Sequence, residues 1–415
     1  MKFASTITWS TTASVVKLAT GFISTKFVSV IIGPLGVAMV GQFQNFISIV
    51  MAIALSGISS GLIKYTAEFK DNEKELVKIW QAITWMVGTT IFPTILVLLI
   101  FHDYLAIKLL GNIEYNSIFF IFAISLIFYI INNLMLNILN GLHEIKKYTL
   151  LNMTNSLIGL ITSVLLVINL KTYGAILAII VSQSVSFIVI IFFVIKEKWF
   201  KLGNFFGKFE IGYFKKLFNF TVMSIVTICI MPTTQIFVRT YLIDHTSWTI
   251  AGCWQGMQLL SNGYLTIVYT ALSSYYLPKL SNLQDKELIK LEIKNGYKFI
   301  MPFVALSSLI IYLLRDFIIS LLFAKSFSPM TDMCLWQFLG DNFKIASWLL
   351  GFIMIAKAKT KLYVLSEIFF GISFIIISML FINIFGNNGA VMAFCLNYFI
   401  YFISFFILYK KGYLL

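Results

Sequence analysis

Charged side chains are scarce in this 415-residue chain. Aspartate, glutamate, lysine and arginine together make up 12% of its residues, whereas about 25% is typical of soluble domains. Hydrophobic residues make up 59%, and the mean hydropathy is +0.91. This composition excludes an ordinary soluble domain and indicates an integral membrane protein.

Cysteine pairs and catalytic motifs are also missing. Each cysteine lies within an apolar stretch, so neither a disulfide framework nor a C-x-x-C metal pair is expected. The chain has no G-x-x-x-x-G-K-[ST] loop, which excludes ATP hydrolysis of the P-loop type. The three histidines lie near loops, and no nucleophile has an evident base. We therefore expect a non-enzyme without cofactor or metal. The N-terminus lacks a signal-peptide cleavage site and is interpreted as a retained first helix. The cysteines are Cys229, Cys253, Cys334 and Cys395.

Apolar windows of about twenty residues, the length that crosses a bilayer, recur along the whole chain. The segment Gly33-Pro34-Leu35-Gly36 predicts a tight turn between the first two windows. The run 316–324 is too short to span and predicts a re-entrant or interfacial turn. The twelve predicted helices are 9–32, 37–62, 79–101, 117–140, 148–170, 174–195, 217–243, 247–275, 297–314, 331–356, 362–384 and 388–409.

The second half of the chain repeats the first at an offset that stays between 211 and 215 residues. A collinear series of matches indicates a duplicated bundle, and six helices per half give both halves the same orientation. We predict an all-α protein with an N-terminal six-helix bundle at 1–196, a cytoplasmic linker at 197–216 and a C-terminal six-helix bundle at 217–415. The matched segments are Gly41-Gln42-Phe43-Gln44 with Gly252-Cys253-Trp254-Gln255, Lys74–Lys78 with Lys286–Lys290, Asp103-Tyr104-Leu105 with Asp316-Phe317-Ile318, and Gly174-Ala175 with Gly389-Ala390.

Lysine and arginine fall mainly in alternate loops. With both termini cytoplasmic, 23 of the 31 cationic residues lie on the inside, four on the outside and four within helices. Cytoplasmic loops carry such an excess. The net charge of +14 is therefore interpreted as a determinant of topology and a contact with anionic membrane lipid. A nucleic-acid surface is not expected.

Polar residues at helical spacing mark one face of several predicted helices. Such stripes either line a cavity or join neighbouring helices by close packing and hydrogen bonds. We expect the stripes of both halves to face a shared central cavity. Its predicted polar lining is Gln42, Asn45, Trp254, Gln255, Gln258, Asn262 and Tyr264.

Charges within the spans need a partner or a purpose, because a lysine or arginine at mid-bilayer costs about 2.5–3.5 kcal/mol. Lys17 lies on the polar stripe of the first helix, and Arg239 follows the helix-interrupting Pro232. Lys26 points away from Lys17 and could instead reach the outer interface. Asp341 and Lys344 are three residues apart, so an internal ion pair is an alternative for them. Glu367 could neutralise a lysine or carry a coupling proton.

Several segments resemble the Wzx-type O-antigen translocase and lipid III flippase family. The resemblance is carried mainly by the first two helices and by the seventh to the eleventh. The segments are Val16-Lys17-Leu18, Lys64-Tyr65, Trp254-Gln255-Gly256 through Tyr264 to Tyr276-Leu277-Pro278, Leu313-Leu314-Arg315-Asp316-Phe317, Trp336-Gln337 with Gly340-Asp341 and Lys344, and Ala356-Lys357-Ala358.

The resemblance implies a V-shaped transporter of the multidrug/oligosaccharidyl-lipid/polysaccharide exporter superfamily in the bacterial inner membrane. It also implies flipping of an undecaprenyl-diphosphate-linked oligosaccharide from the cytoplasmic to the periplasmic face. The polymerase and the chain-length regulator of the same pathway would be partners. On this interpretation Lys17, Arg239, Lys26 and Lys344 bind the diphosphate, while Asp341 and Glu367 are candidates for proton or sodium coupling.

Two other functions stay open at the level of sequence. A drug antiporter of the same superfamily would favour cavity carboxylates over cations. A membrane-embedded glycan polymerase or ligase would favour large periplasmic loops, whereas the longest predicted outside loop has about fifteen residues.

Overall fold

A computed structural model describes residues 3–207 and 211–414, with side chains from Thr12 onward except at 208–211, 214–216, 218–220, 222–223 and 274. The described chain is helical apart from turns and contains no strand. Its helices are α1 Phe3–Ala54, α2 Ser59–Glu68, α3 Glu73–Ile100, α4 His102–Leu110, α5 Asn116–Gly141, α6 Ile145–Val194, α7 Ile211–His245, α8 Trp248–Ala271, α9 Leu277–Asn282, α10 Lys286–Leu313, α11 Arg315–Leu322, α12 Met330–Ala356, α13 Thr360–Phe385 and α14 Gly389–Lys410.

The long helices α1 and α6 are each two legs joined at one residue with positive φ. Gly33 (φ 65°) separates the legs of α1, which confirms the predicted turn, and Lys171 (φ 48°) separates those of α6. Among the described residues, eight continuous segments are long and apolar enough to cross a membrane, and three of them contain two legs each. The eighth predicted helix, 247–275, is not among these segments and corresponds to α8, where glutamine and serine lower the hydropathy. All twelve predicted helices are therefore present.

The predicted second helix, 37–62, is wrong in its extent. The leg ends at Ala54, and Ser56 and Gly57 both adopt positive φ before α2 begins at Ser59. A Cβ on Gly57 would lie 2.9 Å from the Thr221 carbonyl oxygen. The chain is thus interrupted where hydropathy alone continues without a break. The apolar run 316–324 forms the eight-residue α11 instead of a span.

The internal repeat is confirmed by matching helix lengths and turns. Helices α3 and α10 both have 28 residues and are followed by the short helices α4 and α11. Residues with positive φ end corresponding helices in the two halves. His143 corresponds to Ala358 and Lys171 corresponds to Gly386, and the two members of each pair are 215 residues apart.

Two compact units divide the chain: Met1–Ile32 with Met39–Thr233, here called unit 1, and Gly33–Ala38 with Thr234–Leu415, here called unit 2. Within unit 1, the segment after α6 is held against α3. The Trp80 and Phe205 rings stack with centroids 5.4 Å apart, and Trp85 Nε1 donates to the Gly207 carbonyl at 2.9 Å. The first part of the predicted 197–216 linker is therefore docked on a helix, while the domain limits themselves stay a prediction.

Candidate functional site

A buried carboxylate lies within unit 2. Asp341, on α12, is 0% exposed. Ser261 Oγ lies 2.7 Å from each of its oxygens, and the Tyr264 hydroxyl donates to Oδ2 at 2.8 Å. Gln337, one helical turn before it, donates from Nε2 to Oδ1 at 3.2 Å. These three donors compensate part of the cost of burying the carboxylate, and the two on α8, Ser261 and Tyr264, link α8 to α12.

A buried ammonium lies one turn further along α12. Lys344 is 7% exposed, and its Nζ lies 5.0 Å from the ring centroid of Trp348, 5.7 Å from that of Tyr398 and 5.9 Å from that of Phe394. These distances are within the range of cation–π attraction. The three rings are called the Lys344 cage below. Lys344 and Asp341, which are three residues apart on α12, form no ion pair within 4.0 Å.

Close packing between α12 and α14 brings the cage to Lys344. A Cβ on Gly340 would lie 2.5 Å from Phe394 Cδ1 and 3.1 Å from Cys395 Cα. Glycine at this position therefore lets the two helices approach and puts the Phe394 ring beside the lysine. On another side, Asn342 Nδ2 donates to Ser308 Oγ on α10 at 2.9 Å.

Arg239, predicted to face the cavity, is fully buried inside unit 2. Its Nη2 donates to Gln255 Oε1, and its guanidinium lies 5.4 Å from the Trp254 ring centroid. Gly252 precedes this pair on α8, and a Cβ there would collide with the Pro34 carbonyl. In this conformation the guanidinium joins α7 to α8.

The remaining predicted residues differ in exposure. In unit 1, Lys17 is exposed, Lys26 and Asn45 are half-buried, and Gln42 is 1% exposed. Glu367 on α13 is half-buried and accepts a 2.7 Å hydrogen bond from the Tyr401 hydroxyl on α14. On α8, Gln258 is buried and Asn262 is exposed.

Comparison with known proteins assigns this chain to a family. The family described as polysaccharide biosynthesis protein matches residues 3–227, more than half of the chain. The chain belongs to that family. It is also 29% identical over 403 residues to the lipid III flippases of Escherichia coli (strain K12) and Shigella flexneri, with 97% of both chains covered in each case.

Solved structures share the fold of this polysaccharide biosynthesis family member. A multidrug resistance MATE family transporter of the MOP superfamily, in an inward-facing conformation, has a TM-score of 0.75 at 13% identity, covering 96% of this chain and 94% of its own. The lipid II flippase MurJ, in an inward closed conformation, has a TM-score of 0.75 at 15% identity, covering 98% and 87%. At these identities the likeness establishes the transporter fold.

The structure brings two groups of the predicted residues together. Arg239, Trp254 and Gln255 form one cluster, and Asp341 and Tyr264 form the other, with Lys344 beside it. Among the described residues, no group of three or more histidine, cysteine, aspartate and glutamate side chains could hold a metal ion.

Sequence reasoning missed five residues of the second cluster as site residues. Gln337 lies four residues before Asp341 on the same helix face, so spacing could have found it. Trp348 lies four residues after Lys344 on the same helix, so spacing could have found it as well. Ser261 lies on α8, and Phe394 and Tyr398 lie on α14, and nothing in the local sequence connects them to α12. The missed residues are Ser261, Gln337, Trp348, Phe394 and Tyr398.

Proposed function

We propose that this chain flips a lipid-linked oligosaccharide across the membrane that it spans. The observation that carries the proposal is similarity to the lipid III flippases over 97% of both chains. The transporter fold shared with a lipid II flippase supports it. The long apolar helices of the described residues support such a transporter.

The lipid carrier is proposed to be undecaprenyl diphosphate, moved from the cytoplasmic to the periplasmic face of the bacterial inner membrane. The lysine-rich loops support an orientation with both termini in the cytoplasm. A periplasmic polymerase and its chain-length regulator would then receive the glycan. No chemical change of the glycan is expected during transport.

Lys17 is proposed as a direct contact for the diphosphate. It is an exposed cation on a span whose stripe also carries Ser14 and Ser24, and a charged contact is strong where the dielectric constant is low. Lys26, half-buried nine residues further on, is a second candidate on this helix. Arg239 and Lys344 would contact substrate only after leaving the buried positions described above. The polar lining is proposed to bind the sugars. Hydrogen bonds to sugar hydroxyls would come from Gln42, Asn45, Gln255, Gln258 and Asn262, and the rings of Trp254 and Tyr264 would stack on sugar faces.

Asp341 is proposed to couple transport to proton movement, with Glu367 as the other candidate. Asp341 is buried and held by donors from two helices, and a carboxylate inside a membrane span is expensive to keep without a function. Glu367 has one side-chain hydrogen bond, from Tyr401.

The proposal is tested by transport of a defined substrate. The purified chain is reconstituted in vesicles that contain a fluorescent undecaprenyl-diphosphate oligosaccharide, and the label that reaches the opposite leaflet is measured. The Lys17→Ala variant should lose flipping, while the matched Lys17→Arg variant should keep most of it. Unchanged glycan mass after transport separates a flippase from a polymerase or ligase.

A drug antiporter is the alternative that the MATE-like fold favours. Complementation distinguishes the two functions in cells. Expression in an Escherichia coli K12 strain that lacks its lipid III flippase, or in the native host after deletion of the gene, should restore surface polysaccharide and remove the lipid-linked intermediate that accumulates in the cytoplasmic leaflet. Unchanged polysaccharide together with altered resistance to cationic drugs would refute the flippase function.

A further inference from the structure

The position of the Lys344 ammonium relative to Asp341 is unusual. The two residues are three apart on α12 and both are buried, a spacing at which oppositely charged side chains commonly pair. The Lys344 Nζ instead lies among the rings of Trp348, Phe394 and Tyr398, while Asp341 accepts hydrogen bonds from neutral donors. The cation and the anion are therefore neighbours without direct contact.

Direct contact would change what the carboxylate can do. An ammonium that donates a hydrogen bond to a buried carboxylate strongly stabilises its ionised form. It also occupies a lone pair of the carboxylate oxygen, where a proton would otherwise bind. An ammonium at greater distance still favours the ionised form, although less, and leaves the oxygen accessible. Cation–π attraction is strongest for a desolvated ammonium, so three rings can compete with the pull of the carboxylate.

We propose that Lys344 is a caged counter-cation for Asp341: the rings keep its ammonium close enough to favour the carboxylate but off its oxygens, so that Asp341 can bind and release one proton. This inference rests on the coupling role proposed above for Asp341. In the exchange Asp341 takes a proton from water and becomes neutral, and it later returns the proton to water. Lys344 keeps its charge throughout and is a positioning residue.

Other titratable groups face the pair from the helices packed around it. Tyr264 contributes from α8, while Cys395 and Tyr398 contribute from α14 and interact electrostatically with Asp341. Glu367 on α13 interacts electrostatically with Tyr398, and the Tyr297 hydroxyl on α10 donates to the Ala346 carbonyl at 2.6 Å. Lys344 is the only described cation that acts on Asp341, so its removal should dominate the response.

The test measures protonation of Asp341 directly and needs no substrate. Infrared difference spectra of the full chain in lipid are recorded across pH, and the carboxylic acid band that disappears in Asp341→Asn is assigned to Asp341. Glu367→Gln removes the competing band. The pH at which the Asp341 band reaches half its height is then compared among variants.

Two changes should shift this midpoint in opposite directions. Lys344→Met removes the counter-cation, and the midpoint should move to higher pH by at least about one unit. Trp348→Leu opens the cage and lets the ammonium reach the carboxylate, so the midpoint should move to lower pH. Trp336→Leu, at the other tryptophan of α12, is the matched control and should leave it unchanged.

The proposal fails if Lys344→Met leaves the midpoint in place, if Trp348→Leu moves it upward, or if no band depends on Asp341. Lys344→Gln and Tyr398→Leu replace the first variants if those do not fold. If the chain does not flip lipid in the vesicle assay but the two variants still shift the infrared midpoint in opposite directions, the proposed function is refuted and the cage is not. Loss of the shifts with flipping intact would refute the cage alone.

Discussion

Removal of the Ser261 hydroxyl should destabilise unit 2 far more than removal of another buried serine hydroxyl. Ser261 Oγ lies 2.7 Å from both oxygens of Asp341, but a hydroxyl has one proton and counts as one donor. In Ser261→Ala the carboxylate keeps Tyr264 and Gln337 and loses a charge-assisted bond. Such bonds contribute about 1.5–3 kcal/mol, so the unfolding constant should rise about 10- to 150-fold.

Ser378 on α13 provides the matched control. Ser378 is 0% exposed and Ser261 is 1% exposed, so the two serines are equally buried. The Ser378 hydroxyl has no hydrogen-bond partner among the described residues. Ser378→Ala removes the same atom without breaking a bond. Because a buried unsatisfied hydroxyl carries a desolvation cost, this variant should be as stable as the natural chain or more stable.

Equilibrium unfolding of both variants in mixed micelles, followed by tryptophan fluorescence, gives the comparison. A loss of about 1.5–3 kcal/mol in Ser261→Ala alone supports an ionised Asp341 held by charge-assisted bonds. A loss near 0.5–1 kcal/mol, roughly that of a neutral bond, would indicate a protonated carboxyl. Equal effects of the two substitutions would refute the reasoning, because the Asp341 network would then contribute nothing measurable.

Three further predictions follow from single contacts. Lys17→Ala should abolish flipping at normal membrane abundance because Lys17 is exposed; a fall in abundance, measured by quantitative immunoblot, would instead assign the lysine to folding. Gln255→Leu removes a hydrogen-bond acceptor from the buried Arg239, so the free energy of unfolding should fall by about 2–3 kcal/mol. Adding Arg239→Met to this variant should recover most of that loss. Additive losses from the two substitutions would contradict the coupling. The hydrogen bond between Lys279 and Glu292, at 2.6 Å, raises the pKa of Lys279. The stabilisation by this bond should therefore be complete below the ordinary pKa of lysine and should disappear as the pH rises through the raised pKa. Glu292→Gln should remove this alkaline dependence from the unfolding midpoint.

The helices of this protein could be predicted from hydropathy because the bilayer sets their length. The turn at Gly33 was predictable for a second reason, since Gly-Pro punctuates helices. The interruption at Ser56 was not, because apolar residues continue on both sides and a serine with positive φ is uncommon. The Thr221 carbonyl packs closely against the neighbouring Gly57, a contact between residues far apart in the sequence.

The polar stripe of α8 was predictable, but its partners were not. Helical spacing puts Gln255, Gln258 and Asn262 on one face, yet Gln258 is buried and Asn262 is exposed. Periodicity states which residues share a face and leaves open what that face contacts. Tyr264 illustrates the limit, because its hydrogen bond reaches a carboxylate 77 residues away.

The insertion cost of a charge identifies a residue that needs a partner, but it does not say which kind of partner. Lys17, Arg239 and Lys344 were singled out by the same cost argument. The structure gives them three different surroundings: Lys17 is exposed, Arg239 donates to an amide beneath an indole, and Lys344 lies among three rings. Amides and aromatic rings are not charged, so no search of the sequence for opposite charges could have found the last two partners. Of these three cations, Lys17 alone is open to a diphosphate without a prior rearrangement, and substitution of Lys17 is therefore the most direct test of substrate contact.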